Sequence, residues 1–343
     1  MCKNSLLLFF LLFQALFQLS ADNAKSLHVL IISGRNNHNW EQTTQQLEAI
    51  FSENEMFSFE VTLKPDTLES CDFRHVDVVL SNWNSWPENE LRWPEKTEKA
   101  LIEYIKNGGG FVTFHASSSA FYNWPSFKII STGSWIINQT SHGQNSNTKV
   151  LITNQKHPVT QGMTDFFVFD ELWIDAAKNP DFEVLGMATN ETLQQEGKAS
   201  QPAIMVGNYG KGRIFHTILG HDARAMRNTG FRLLLQRGTE WAATGEVTLP
   251  VAQELKPAID PGNYNWQETD TTLALINGDQ IIWQYNYKTK YGRPFFHPVF
   301  AGRNNITCLS PDDHVWHLGQ WFCWKYINKV NYWEYGRGAF QSD

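Results

Sequence analysis

Apolar residues in this chain fall into runs of two kinds, and their order predicts a fold. "LHVLIISG" (Leu27 to Gly34), "VDVVLSNW" (Val76 to Trp83) and "GFVTFH" (Gly110 to His115) are near-continuous, as strands buried on both faces of a sheet must be. Between the first two lie a polar loop, "RNNHNW", and the segment "EQTTQQLEAIF", whose Leu47, Ile50 and Phe51 recur at helical spacing. "FSFEVTL" alternates as a strand. "PEKTEKALIEYIKNGGG" is an amphipathic helix that Pro94 opens and Gly108 ends, with Leu101, Ile102 and Ile105 turned inward. The resulting β-α-β-β-α-β order predicts an α/β fold with a doubly wound, mostly parallel sheet of the flavodoxin-like type.

Farther on, "KVLITN" and "FEVLGMA" read as strands, "PAIMVGNYGKGRIFHTILGH" as a hairpin and "FRLLLQRGTEWAATG" as a closing helix. The glycines of "YGKGR" fit a tight turn rather than a phosphate loop, because no helix follows them. The pattern then changes. Residues 250–270 carry several prolines and no periodicity, which predicts a linker after an α/β domain spanning 26–249. Residues 271–343 alternate in short segments, including "ALINGDQIIWQYNY" with its Asn-Gly turn signal. This partial all-β region is short for a β-sandwich of ~100 residues and reads as an incomplete domain.

Composition narrows the function classes. A 42% hydrophobic and 18% charged chain is globular. Its net charge of −7, without a basic run, argues against a nucleic-acid partner. Core packing accounts for most of the fourteen tryptophans, and the rest offer flat faces that suit sugar rings or bases, with the acidic balance favouring sugars. At the N-terminus, Lys3 precedes an apolar run from Leu6 to Leu19 that is shorter than the roughly 20 residues of a membrane span. Residues 1–21 therefore read as a signal peptide, placing the protein outside the cytoplasm (secreted or periplasmic), or membrane-anchored if the segment is uncleaved. Three cysteines remain beyond it: Cys308 and Cys323 can pair in an oxidising compartment while Cys71 stays free, or all three are buried thiols.

In an open parallel sheet, ligands bind beyond the carboxyl ends of the strands. That rule selects His38 and Trp40 after the first strand, Asn82 after the "VDVVL" strand, and His115 and Ser117 after the glycine-led strand. His142 in "SHG", Glu171 in "DELW", and His221 with Asp222 in "LGHD" come later in the chain. His28 and His75 at strand starts, His157 before Pro158 and His216 within a strand are read as ordinary structural residues. The selected histidines with Glu171 suit two chemistries: acid and base groups around a sugar, or a divalent metal site built on His115, Glu171 and His221. No HExxH or HxH spacing decides between them.

The motifs "LIISGRNNHNW", "GGGFVTFHASSSAFYNW", "SHG", "HPVTQGM", "DELW", "YGKGRIFHTILGHD" and "LLLQRGTEWAATGEVTLPV" together resemble the ThuA-like (trehalose-utilisation) family over roughly Leu27 to Val251. The resemblance implies a class I glutamine amidotransferase-like fold and a role in carbohydrate breakdown, on glycosides or 3-keto-glycosides, by hydrolysis, elimination or isomerisation. It places His38, His115, His142, Glu171 and His221 at matching motif positions. His115, His221 and Glu171 are the catalytic candidates; His38, Trp40, Asn82, Ser117, His142, Asp222 and Trp316 are the substrate-binding ones. Where the amidotransferases keep a nucleophilic cysteine this chain has His115-Ala116-Ser117-Ser118, which argues against glutaminase chemistry. "SHGQNSN" also lacks the second histidine that relatives often show. The C-terminal "GRPFFHPVFAGRNNITCLSPDDHVWHLGQWFCWKYINKVNYWE" resembles the opening of the PmoA-like family, with His314 and His317 beside Trp316 as a candidate sugar or metal cluster. The alternatives to an enzyme with a small saccharide substrate are a non-catalytic carbohydrate-binding protein and a metal-dependent oxidoreductase.

Overall fold

Continuous apolar runs become the centre of a sheet covered on both faces. The structure is a computed structural model that describes residues 26–256, 264–288, 294–301, 304–312 and 317–321, and the backbone of 326–327 and 330–331. It forms two compact units that divide at Val251. The predicted signal peptide, His314, Trp316 and Cys323 lie outside the described residues. No helix among the described residues is long and apolar enough to cross a membrane.

The first unit opens with β1 (Leu27–Ile32), α1 (Trp40–Ser52), β2 (Phe57–Thr62), β3 (Val78–Ser81), α2 (Glu95–Lys106) and β4 (Gly110–Phe114). It continues through the short α3 (Pro125–Ile129), β5 (Ser141–His142), β6 (Ser146–Ile152), β7 (Phe166–Asp170), β8 (Trp173–Ile174), β9 (Glu183–Thr189) and α4 (Glu191–Gln195). The hairpin β10 (Gln201–Tyr209) and β11 (Gly212–Thr217), the one-turn α5 (Ala223–Met226) and the long α6 (Thr229–Thr244) complete it. Nine strands form one sheet in the order β2-β1-β3-β4-β11-β10-β9-β6-β7. β2, β1, β3, β4 and β11 pair in parallel, and the remaining neighbours pair antiparallel. Following those pairings, only β6 and β10 run against the other strands, so the mostly parallel sheet predicted from the apolar runs is present.

Every residue of β3 and β4 is buried, as are Val29 to Ile32 of β1. α1 turns Thr43, Thr44, Leu47, Ile50 and Phe51 to the sheet, and its first turn is capped by Asn39, whose side chain accepts from the Gln42 amide. Two fully buried phenylalanines bind α6 to the sheet: Phe215 of β11 packs against Gly238, and Phe231 of α6 stands edge-on to Phe114 of β4. Each contributes about 1.5–3 kcal/mol by the usual area scale. Close packing explains the glycine run before β4: a Cβ on Gly110 would lie 2.8 Å from the Ala242 carbonyl of α6. The "YGKGR" glycines form the β10–β11 hairpin turn, with Gly210 at φ +61°.

Residues from Ala252 onward form the second unit. An antiparallel sheet runs β12 (Tyr264–Glu268), β13 (Thr272–Asn277), β14 (Gln280–Asn286), β15 (Phe295–Ala301) and β16 (Asn304–Asn305), and β17 (Tyr326–Ile327) pairs with β18 (Val330–Asn331). The strand β12 occupies part of the segment expected to be linker, because its backbone pairs with β13 despite an exposed side-chain pattern. Asn277 pairs with Gln280, so the two-residue loop of the predicted hairpin is Gly278-Asp279, one position past the Asn-Gly signal.

Candidate functional site

The carboxyl ends of β1, β4 and β11 deliver three histidines to one point. His38 stands in the loop between β1 and α1, His115 directly follows β4, and His221 follows β11. Their ring centroids form a triangle, with His38–His115 at 5.0 Å, His38–His221 at 4.5 Å and His115–His221 at 5.2 Å. One nitrogen from each lies within 4.8 Å of the other two.

His115 sits at a sharp elbow. Its φ is +42°, a left-handed conformation that costs a non-glycine residue of order 1–3 kcal/mol. The three serines behind it hold that turn. Ser117 Oγ accepts from the Phe114 amide at 3.0 Å and donates to the Phe114 carbonyl at 2.8 Å. Ser118 Oγ reaches the carbonyls of His115 and Gly133, and Ser119 Oγ accepts from the Trp135 amide. His115 Nδ1 lies 2.8 Å from the Ile218 carbonyl. A carbonyl only accepts, so Nδ1 carries the proton and Nε2 presents a lone pair. That Nε2 is buried, and among the described residues it has no hydrogen-bond partner.

Glu171, just past β7, is the carboxylate of the cluster. Its Oε1 accepts from Trp173 Nε1 at 3.0 Å and lies 3.7 Å from His115 Nε2. Its Oε2 lies 3.0 Å from His142 Nδ1 and 3.6 Å from His221 Nε2. The neighbouring Asp170 is buried and accepts from the amides of Gly220, His221 and Glu171, which ties the His221 loop to the end of β7. Burial pushes Asp170 up to about 7, against those three amides, which favour its anion. Burial also dominates at His38 and His115. It holds His38 down to about 4, with His221 and His142 adding repulsion. His115 is driven well below the ordinary histidine range by burial first, then by His38 and His221. Both rings are therefore neutral near pH 7.

A cavity of about 530 Å³ opens above this cluster, lined by His38, His142 and Glu171, by the aromatic faces of Trp86, Tyr122, Trp135 and Trp173, and by the amides Asn37, Asn84 and Asn138. Among the described residues, no lysine or arginine lines it. A second cavity of about 620 Å³ shares Ser119, Tyr122, Trp135 and Ile137 with it and adds Lys128, Lys178 and Asp181.

Of the residues expected from sequence, His38, His115, His142, Glu171 and His221 come together. Asp222 caps α5 through the Arg224 and Ala225 amides, and its other oxygen lies 3.8 Å from His221 Nδ1. Ser117, expected to meet substrate, is 1% exposed and bonded to its own elbow. Asn82 is equally buried; its amide reaches the Trp40 carbonyl and the hydroxyls of Thr43 and Thr44, so it knots β3 to α1. Trp40 begins α1 and does not line the cavity. Of the triad named for metal binding, His115 and His221 converge with His38 instead, and Glu171 stands beside that trio. In the second unit His317 packs its ring against Trp321 at 5.4 Å. The cavity aromatics Trp86, Tyr122, Trp135 and Trp173 escaped sequence reading because nothing in the linear pattern separates a cavity tryptophan from a core one such as Trp83, which is 5% exposed.

Residues 28–242 match the ThuA family, described as trehalose utilisation, and residues 272–342 match a family of unknown function, DUF6807. The C-terminal likeness is therefore to that family, and a PmoA-like domain is not shown. Among solved structures, a ThuA-like protein of Parabacteroides merdae is 30% identical with a TM-score of 0.59, covering 68% of this chain and 95% of its own. A ThuA-like protein of Bacteroides uniformis is 21% identical with a TM-score of 0.50, covering 66% of this chain and 98% of its own, and shares the fold. No curated protein matches.

Proposed function

The chain belongs to the ThuA trehalose-utilisation family, and from that premise we propose that it is an exported carbohydrate-processing enzyme acting on neutral glycosides or their 3-keto derivatives. The observation that carries the reading is the lining of the cavity: four aromatic faces and three amides surround an imidazole–carboxylate pair, with no cationic side chain among the described residues. Aromatic faces cover the apolar faces of a sugar ring, amides bond its hydroxyls, and the lack of cations disfavours phosphorylated or acidic ligands. About 530 Å³ holds a small saccharide, and the adjoining cavity leaves room for a second unit.

Within that cleft His142 is the proton-transfer group best exposed to substrate. Its Nδ1 faces two acceptors, the Gly143 carbonyl at 2.9 Å and Glu171 Oε2 at 3.0 Å. Nδ1 therefore keeps its proton, and Nε2 is the nitrogen that takes one from substrate, with Glu171 orienting the ring and stabilising the imidazolium that results. In a 3-keto-glycoside the hydrogen next to the carbonyl is acidified, so a positioned base suffices to begin elimination or isomerisation. His115 and His221 lie behind Glu171, and their part is taken up below.

The test is a panel of neutral disaccharides and their 3-keto derivatives, offered to the purified chain with products separated by chromatography and binding read by calorimetry. Product formation that fails in His142→Ala supports the assignment. Tight binding with no product would make this a carbohydrate-binding protein, and neither binding nor product would remove the saccharide reading.

A further inference from the structure

We propose that His38, His115 and His221 hold a divalent first-row transition ion at the floor of the cleft, with the Glu171 carboxylate as its oxygen donor. The inference deepens the function proposed above but stands on separate observations. Three imidazoles converge from three separate loops, each offering one nitrogen within 4.8 Å of the others. A tetrahedral ion with Zn–N bonds of about 2.1 Å needs those nitrogens ~3.4 Å apart, so the rings draw inward when the ion binds. The Glu171 carboxylate stands beside the trio, with Oε1 3.7 Å from His115 Nε2 and Oε2 3.6 Å from His221 Nε2.

Two further features favour an ion over a metal-free cluster. His115 Nε2 is a buried lone pair with no donor to satisfy it, a state that a protein interior rarely tolerates. Its other nitrogen donates to the Ile218 carbonyl at 2.8 Å. Metal-bound histidines characteristically use such outer partners to fix which nitrogen faces the ion. Among the described residues, the Glu171 carboxylate also has no lysine or arginine beside it in the cavity. Imidazole nitrogens with one carboxylate suit Zn²⁺, Fe²⁺, Co²⁺ or Ni²⁺ rather than Ca²⁺ or Mg²⁺.

A second trio, His28, Glu60 and His75, also brings three donor atoms within 4.8 Å, but Glu60 and His75 are exposed. It serves as an internal control. The untagged full-length chain is stripped with chelator, reloaded with Co²⁺, and measured for metal stoichiometry and visible d–d absorption. One ion per chain with a d–d band is expected, unchanged in His75→Ala and weakened roughly a hundredfold or more in His38→Ala/His221→Ala. Far-UV circular dichroism of the stripped forms checks that the double variant folds. X-ray absorption on the Co²⁺-loaded wild type needs no variant and should report about three imidazoles in the shell.

Failure of the wild type to retain a stoichiometric ion overturns the proposal. So does a band that survives in the folded double variant, or a shell with fewer than two imidazoles. No sugar enters these measurements. A chain that binds saccharide without metal sinks only this proposal, and one that binds metal without saccharide sinks only the function above.

Discussion

His142 Nδ1 and Glu171 Oε2 stand 3.0 Å apart, the shortest contact the carboxylate makes with any of its three histidines. The pair joins two segments far apart in sequence. His142 lies on the two-residue strand β5, which pairs with β8 so that His142 faces Trp173. Trp173 in turn donates its indole N–H to the other Glu171 oxygen. The β5–β8 pairing therefore sets the carboxylate and the imidazole together, and the cavity-lining ring of His142 is aimed by backbone structure.

The first prediction concerns that pair. His142→Ala should lower kcat on the best glycoside substrate by about 10²–10⁴-fold, the usual contribution of a positioned acid–base group, with little change in KM. Glu171→Gln keeps the volume but can turn an amide N–H toward His142 Nδ1, and should also lower kcat. Steady-state kinetics with both variants checks this. A rise in KM alone would reduce His142 to a binding contact.

Trp135 is the wall common to the two cavities, edge-on to Trp173 with centroids 5.1 Å apart and 5.8 Å from the ring of His142. Trp135→Ala removes a face that both halves of a disaccharide would share. Its binding should weaken by roughly tenfold, about 1.4 kcal/mol, while a monosaccharide loses less. Calorimetric titration with the two sugars measures the difference. Equal losses would mean that the second cavity takes no sugar.

Much of this arrangement was legible in the sequence, and the remainder failed for identifiable reasons. The buried strands of "LHVLII", "VVLS" and "GFVTF" showed themselves as continuous apolar runs, and the strand-end rule then selected His38, His115 and His221, because β1, β4 and β11 do end at one rim. The same rule overreached at Asn82 and Ser117. Position after a strand says nothing of where a short polar side chain turns, and here both turn back to bond the backbone and neighbouring hydroxyls. Trp135 and Trp173 were hidden because a tryptophan looks the same in sequence whether it walls a cavity or fills a core. The pairing of β5 with β8 depends on two-residue strands far below the length at which alternation is detectable.

Stability should fall with acid. His216 is fully buried on β11, its Nδ1 is 2.9 Å from Thr113 Oγ1, and its Nε2 has no partner because Gly133 packs against it. Burial holds it down to about 3 in the folded chain, whereas the unfolded histidine titrates near 6.5. Between those values the unfolded state binds a proton that the folded state refuses. The stability that neutral His216 contributes is thus present above pH 6.5 and is lost progressively as pH falls toward 3. The lowered His38 and His115 act in the same direction. Denaturant unfolding from pH 8 to pH 4 should show this slope, and His216→Gln should reduce it by about one proton. An unchanged slope would mean that protonation of His216 is accommodated in the fold.

The last prediction concerns a motif that is structural. "HPVTQGM" belongs to the family-like set, but the structure places it under α6, away from the cleft. Arg237 of that helix is 4% exposed and gives its guanidinium to the carbonyls of Val159 at 2.8 Å, Pro158 at 2.6 Å and Gln161 at 3.1 Å, and to Leu249. His157 packs against Trp241 one turn farther along, with ring centroids 4.9 Å apart. One side chain thus pins both the turn before β7 and the segment that leaves α6. Arg237→Met preserves most of the apolar stem but strands four carbonyls in a dry environment, at a cost of about 3–5 kcal/mol. For a unit of this size that corresponds to a fall in melting temperature of roughly 10 °C. Because the cleft residues touch none of these groups, KM for saccharide below the melting transition should match the wild type. Calorimetric melting and room-temperature kinetics on the same preparation separate the two effects, and a changed KM with unchanged melting would move Arg237 from the scaffold to the site.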